Sequence, residues 1–118
     1  MRASSFVDEN RLWQRLMDMA AIGGFGASGV NRQAFSDADN KARALMQSWA
    51  KSLQLSVFHD VIGNLFFRYQ PEGGRGDPVL TGSHADSQPT GGRFDGIYGV
   101  LAGFEAIEAI QQSGVYIE

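Results

Sequence analysis

Residues 78–107, PVLTGSHADSQPTGGRFDGIYGVLAGFEAI, change character twice. They open as a short apolar, β-prone run, PVLTGS, pass through a polar stretch rich in glycine, and return at Ile97 to apolar residues at helical spacing. Val100, Leu101, Phe104 and Ile107 continue that spacing, and Gly114 stands where such a helix ends. A buried strand feeding a loop that feeds a helix is the repeating unit of layered α/β folds. The loop holds His84, Asp86 and Asp95, which packing does not need there. Open α/β sheets place their sites just beyond the carboxyl ends of strands.

Outward from this unit, the pattern alternates between two periods. Leu12, Trp13, Leu16, Met17 and Ala20 recur at spacings of three and four, which predicts an amphipathic helix over about 8–21. Residues 22–35 are glycine-rich and aperiodic and read as loop. Ser36 has the chemistry of an N-cap, Asp37 and Asp39 suit the first turn, and Ala42, Leu45, Met46, Trp49, Ala50 and Leu53 form a second stripe. The alternation of Leu55, Val57 and His59 predicts a strand, and a turn at Gly63-Asn64 leads to its hairpin partner, LFFRY. VYIE, from Val115, reads as the start of another strand. The expected order is α-α-β-β-β-α within an α/β or α+β layer pattern.

Composition narrows the class. With 118 residues, 43% apolar content, a net charge of -3 and a pI near 5.3, the chain lacks the basic surplus of a nucleic-acid binder. It has no cysteine, hence no disulfide or thiolate site. No apolar run approaches the roughly 18 residues that cross a bilayer, and the N-terminus lacks the apolar core of a secretory signal. A cytoplasmic protein is the default expectation.

Several motifs match by letter only. Gly24-x-Gly26-x-x-Gly29 follows a helix and leads into loop, whereas a dinucleotide fingerprint needs a strand before it and a helix directly after. Arg75-Gly76-Asp77 fits a solvated turn. His59 and Asp60 are adjacent on a strand and point to opposite faces. Glu105 and Glu108 read as the solvated face of the last helix. The loop is different, because in an extended His-x-Asp the two side chains leave on one face, and a carboxylate there can orient a metal-bound imidazole. The competing reading for Asp95 is an N-cap of the following helix, and for His84 a histidine satisfied by loop hydrogen bonds.

Taken letter by letter, GSHADSQPTGGRFDGIYGVLAGFEAI resembles the first metal motif of the hydantoinase/carbamoylase family of amidases, within the dinuclear zinc peptidase and aminoacylase group. NRLWQRLMDMAAIG, GVNRQAFSDADNKAR and the hairpin ending IGNLFFR extend the likeness over essentially the whole chain. The resemblance implies that residues 1–118 are the N-terminal portion of a zinc-peptidase-like mixed-sheet catalytic domain, its sheet incomplete and its lid domain absent. It implies His84 as ligand to one ion, Asp95 as a bridge between two, and Asp86 as the catalytic-site carboxylate that orients His84. Gly91, Gly92 and Gly96 would let the backbone turn tightly around the ions.

Two divalent ions are implied, zinc or manganese first, with cobalt and nickel as alternatives. Water activated on them, with a glutamate base, would hydrolyse a small carbamoyl or ureido substrate to carbon dioxide, ammonia and an amine. The glutamate pair, the later histidines and the lid that usually forms a homodimer interface have no counterpart here, so the chain alone is expected to be inactive. A non-catalytic α/β module that binds metal or a partner subunit is the alternative, and an aminoacylase or dipeptidase of the wider group a further one. No nucleic acid or membrane partner is expected.

Overall fold

The computed structural model describes residues 2–118. A 3-10 turn (Ala3–Phe6) leads into α1 (Glu9–Ala20). The Asp8 carboxylate caps α1 by accepting from the N–H groups of Asn10 and Arg11, donors that a helix end otherwise leaves unpaired. The glycine-rich stretch expected to be loop contains a minimal antiparallel hairpin, β1 (Gly24–Phe25) with β2 (Gly29–Val30). Strands of two residues are too short to display a period of two, so sequence periodicity could not report them.

α2 (Asp37–Ser52) starts at Ser36, whose hydroxyl accepts from the Asp39 N–H at 3.2 Å. β3 (Ser56–His59) and β4 (Leu65–Arg68) form the expected hairpin, with Val57 opposite Phe67 and Phe58 opposite Phe66. Its tip is organised by Asp60, which accepts from the N–H groups of Ile62 and Asn64 and from the Asn64 side-chain amide at 2.6 Å. Arg43 donates to the Gly63 carbonyl at 2.9 Å and so ties the tip to α2. α3 (Ile97–Ser113) ends at Gly114, whose φ of 68° is the left-handed conformation that closes helices and favours glycine.

One core joins these elements. Leu16 and Met19 of α1, Ala42, Met46 and Ala50 of α2, and Ile97, Leu101 and Phe104 of α3 are buried together with Leu55. The hairpin adds Leu65 and Phe67, and the Phe67 and Phe104 rings lie 5.0 Å apart. The architecture is a mixed helix and strand layer of order α-β-β-α-β-β-α with two separate two-stranded sheets.

Two expectations fail. The buried strand expected at 78–83 has no ladder partner among the described residues, and neither does VYIE. Val79 and Leu80 are exposed, at 99% and 79% of their full surface. Apolar, β-prone letters give the propensity for a strand, but the strand exists only where a neighbour accepts its N–H and C=O groups.

Glu105 and Glu108 are not a solvated face either. Glu105 is 2% exposed and accepts from Arg11 Nε at 2.9 Å, from Arg11 Nη2 at 2.6 Å and from the Asp8 N–H at 2.8 Å. Glu108 accepts from Arg15 Nη2 at 2.6 Å. The Arg15 guanidinium also lies 5.7 Å and 5.9 Å from the ring centres of Trp49 and Phe104. Buried carboxylates need partners of opposite charge, and α1 supplies them one turn apart. The hydrogen bond to Glu105 holds the Arg11 pKa above its ordinary value.

Candidate metal centre

The loop carrying His84 is bracketed by the small hairpin that the sequence did not reveal. Val30 of β2 and Gly91 exchange main-chain hydrogen bonds of 3.0 and 2.9 Å. Ser87 donates its N–H to the Arg32 carbonyl at 2.7 Å and its hydroxyl to the Val30 carbonyl at 3.2 Å. Gly91, expected to ease a turn around ions, therefore works here as a pairing residue. The loop is thus held after Asp86 by main-chain pairing with residues 30–32.

Within it, His84 lies between two carboxylates. Its Nδ1 is 3.0 Å from Asp86 Oδ1 and 3.1 Å from the Asp86 carbonyl, while its Nε2 is 3.6 Å from Asp95 Oδ2. Both partners of Nδ1 only accept, so the neutral ring carries its proton on Nδ1 and its lone pair on Nε2. His84, Asp86 and Asp95, separated by up to eleven positions, are brought together.

The N-cap reading of Asp95 is not realised. The cap residue of α3 is Gly96, there is no side-chain cap hydrogen bond, and the Asp95 side chain is 91% exposed. Gly96 has a φ of 75°, which L side chains rarely adopt, and a Cβ built on it would clash with the His84 imidazole as it stands. Glycine at 96 is therefore a spatial requirement of the histidine.

The donor set suits a divalent ion. Two ligands each about 2.0–2.1 Å from a tetrahedral zinc lie about 3.3 Å apart, close to the separation of His84 Nε2 and Asp95 Oδ2. Borderline imidazole and hard carboxylate are compatible with zinc, manganese, cobalt and nickel. Among the described residues no group of three or more His, Asp or Glu side chains converges on one point, so these donors are a partial shell. His59 stays exposed on β3, and Asp60 is engaged in its own turn. Gly24, Gly26 and Gly29 belong to the β1–β2 hairpin, without the strand-to-helix turn of a dinucleotide site.

Arg32 is the residue that sequence reasoning missed. Its side chain is 2% exposed, and its guanidinium donates to the carbonyls of Ala85, Met19 and Ile22 at 2.8, 3.0 and 2.9 Å. Burial pushes its pKa below the ordinary arginine value, opposed by the negative charges of Asp39 and Asp86. An arginine in an aperiodic stretch carries no sequence signal of burial.

Comparison with known proteins gives a consistent placement, although no family-wide sequence profile matches the chain. It is 45% identical over 109 residues to an N-carbamoyl-L-amino-acid amidohydrolase of Rhizobium meliloti, covering 92% of this chain and 26% of that protein. It is 36% identical over 110 residues to a ureidoglycolate hydrolase of Oryza sativa subsp. japonica, covering 92% of this chain and 22% of that one. The crystal structure of a hydantoinase/carbamoylase family amidase from Burkholderia vietnamiensis superposes with a TM-score of 0.92 at 48% identity, over 100% of this chain and 29% of that one. The chain therefore spans about a quarter of the length of the curated relatives it matches. By sequence and by fold, it belongs to the hydantoinase/carbamoylase family of amidases and matches the N-terminal portion of its members.

Proposed function

We propose that this chain supplies the first metal-binding segment of an amidohydrolase that cleaves the C–N bond of a carbamoyl or ureido group. The observation that carries the reading is the placement of His84 between Asp86 and Asp95. The names of the relatives, which include carbamoyl-amino-acid amidohydrolases and a ureidoglycolate hydrolase, support the bond type. In this reading His84 Nε2 and Asp95 hold divalent metal, Asp95 bridging two ions, with zinc or manganese favoured. Such ions, when bound, supply Lewis acidity toward a carbonyl oxygen and lower the pKa of water.

The chain's own residues prepare that site. Asp86 takes the Nδ1 proton in a hydrogen bond, which fixes the ring and keeps the Nε2 lone pair available. Asp95 presents a carboxylate that partly neutralises cationic charge, and Gly96 leaves the room the imidazole occupies. The glutamate base, the remaining ligands and the substrate contacts come from polypeptide outside residues 1–118. The working enzyme is read as a cytoplasmic homodimer on small ureido compounds.

The test uses the whole gene product, with ammonia release from N-carbamoyl-L-amino acids, allantoate and ureidoglycolate, and metal content, read together. His84→Ala and Asp95→Ala are expected to lose metal and turnover in parallel. Asp86→Ala is expected to keep the fold and weaken metal binding by roughly 10- to 100-fold. Full metal content and turnover in Asp95→Ala would falsify the bridging role. Retained metal with no turnover on any ureido compound would favour a binding module instead.

A further inference from the structure

We propose that Arg32 is a positioning residue for the metal loop: it sets the orientation and tautomer of His84 by clamping the residues on either side of Asp86. The inference rests on the site read above only for its metal arm. A buried guanidinium is costly unless its donors are satisfied, and this one is satisfied by main-chain carbonyls. Nη1 takes the carbonyls of Met19, in the last turn of α1, and of Ile22, just beyond it. Nε takes the carbonyl of Ala85, directly between His84 and Asp86.

The main chain of Arg32 completes the clamp from the other side. Its N–H donates to Ser87 Oγ at 2.8 Å, and its carbonyl accepts from the Ser87 N–H at 2.7 Å. Asp86 is therefore flanked by two residues that both hang on Arg32. The Asp86 carbonyl and carboxylate are the two acceptors of His84 Nδ1, so fixing residues 85 and 87 fixes where the ring's proton is held. Only a planar fork of donors reaches carbonyls in two different elements at once, and a lysine ammonium on a flexible stem does not reproduce it. His84 itself is exposed, so packing alone does not hold its ring.

The test is made on the whole chain labelled with nitrogen-15. Its two histidines are read by long-range proton–nitrogen correlation, and zinc alone is titrated by calorimetry. The parent His84 is expected to show a protonated Nδ1 and a free Nε2. Arg32→Lys is expected to average the two tautomers and lower zinc affinity by roughly 10- to 100-fold, with His59 signals and amide dispersion unchanged. A merely structural arginine would leave the tautomer alone in any variant that folds. A folded Arg32→Lys with the parent tautomer and affinity overturns the proposal.

Should Arg32→Lys fail to fold, Ser87→Ala loosens the same clamp from its accessible end. A partial shift of the His84 tautomer supports the proposal, and an unchanged tautomer overturns it. His84→Ala separates the two readings. If it binds zinc as tightly as the parent, the metal site falls, while the tautomer comparison still decides the role of Arg32.

Discussion

Gly96 shows how a single residue carries both backbone and site. Its φ of 75° costs a non-glycine residue about 1–3 kcal/mol, and any side chain there competes with His84 for the same volume. Gly96→Ala is expected to lower stability by about that amount and to displace the imidazole from Asp95, checked by thermal melting and by zinc titration. A variant that melts lower yet binds zinc like the parent would show that the ring can relocate freely. That His84, Asp86 and Asp95 can meet was legible in the sequence, from the extended His-x-Asp and the glycine-rich excursion before Asp95. Their roles as ligands were implied by the family resemblance alone. Arg32 was not legible, because its burial depends on three carbonyls contributed by two distant segments.

Among the elements, the three helices and the β3–β4 hairpin were legible because each is long enough to show its period. The β1–β2 hairpin was not, and Glu105 was misread because helical periodicity treats every charge as outward. Glu105 is instead the acceptor that joins α3 to α1 and to the turn before it. Removing one partner of a buried charge pair costs about 3–5 kcal/mol, far more than an exposed pair at about 0–1 kcal/mol. Glu105→Ala is expected to fall in the upper range by denaturant unfolding, and a loss below about 1 kcal/mol would mean that water replaces the carboxylate.

The hairpin tip adds a pH dependence. The side-chain amide of Asn64, followed by main-chain N–H groups, holds the Asp60 carboxyl below its ordinary value. That stabilisation is fully present above the unfolded value, near pH 3.9, and is lost as pH falls through the depressed folded value. Melting temperature is therefore expected to fall more steeply below pH 4 in the parent than in Asp60→Asn. Parallel profiles would remove Asp60 as a contributor.

The whole molecule is looser than its length suggests. Its radius of gyration is 14.9 Å, whereas a compact domain of this size has about 13.5 Å. In the segment at 78–83, Val79 and Leu80 stand in water without a ladder. Strand propensity was legible there, but the missing pairing is a property of the surroundings and not of the letters. Unpaired apolar backbone invites self-association. The isolated chain is expected to sediment as concentration-dependent oligomers, and Leu80→Lys to reduce them. Equal sedimentation of the two would place the contact elsewhere.

The closure of α1 onto α3 also has a temporal side. Arg11 and Glu105 are 94 positions apart, so at about 5–20 residues per second the ribosome needs roughly 5–20 s to deliver the carboxylate after the arginine. Until then Leu16 and Met19 lack the cover of Ile97, Leu101 and Phe104, and Arg11 lacks the Glu105 carboxylate. The nascent α1 is thus an amphipathic helix that waits for part of its packing surface, and during that interval its exposed apolar stripe is open to other partners.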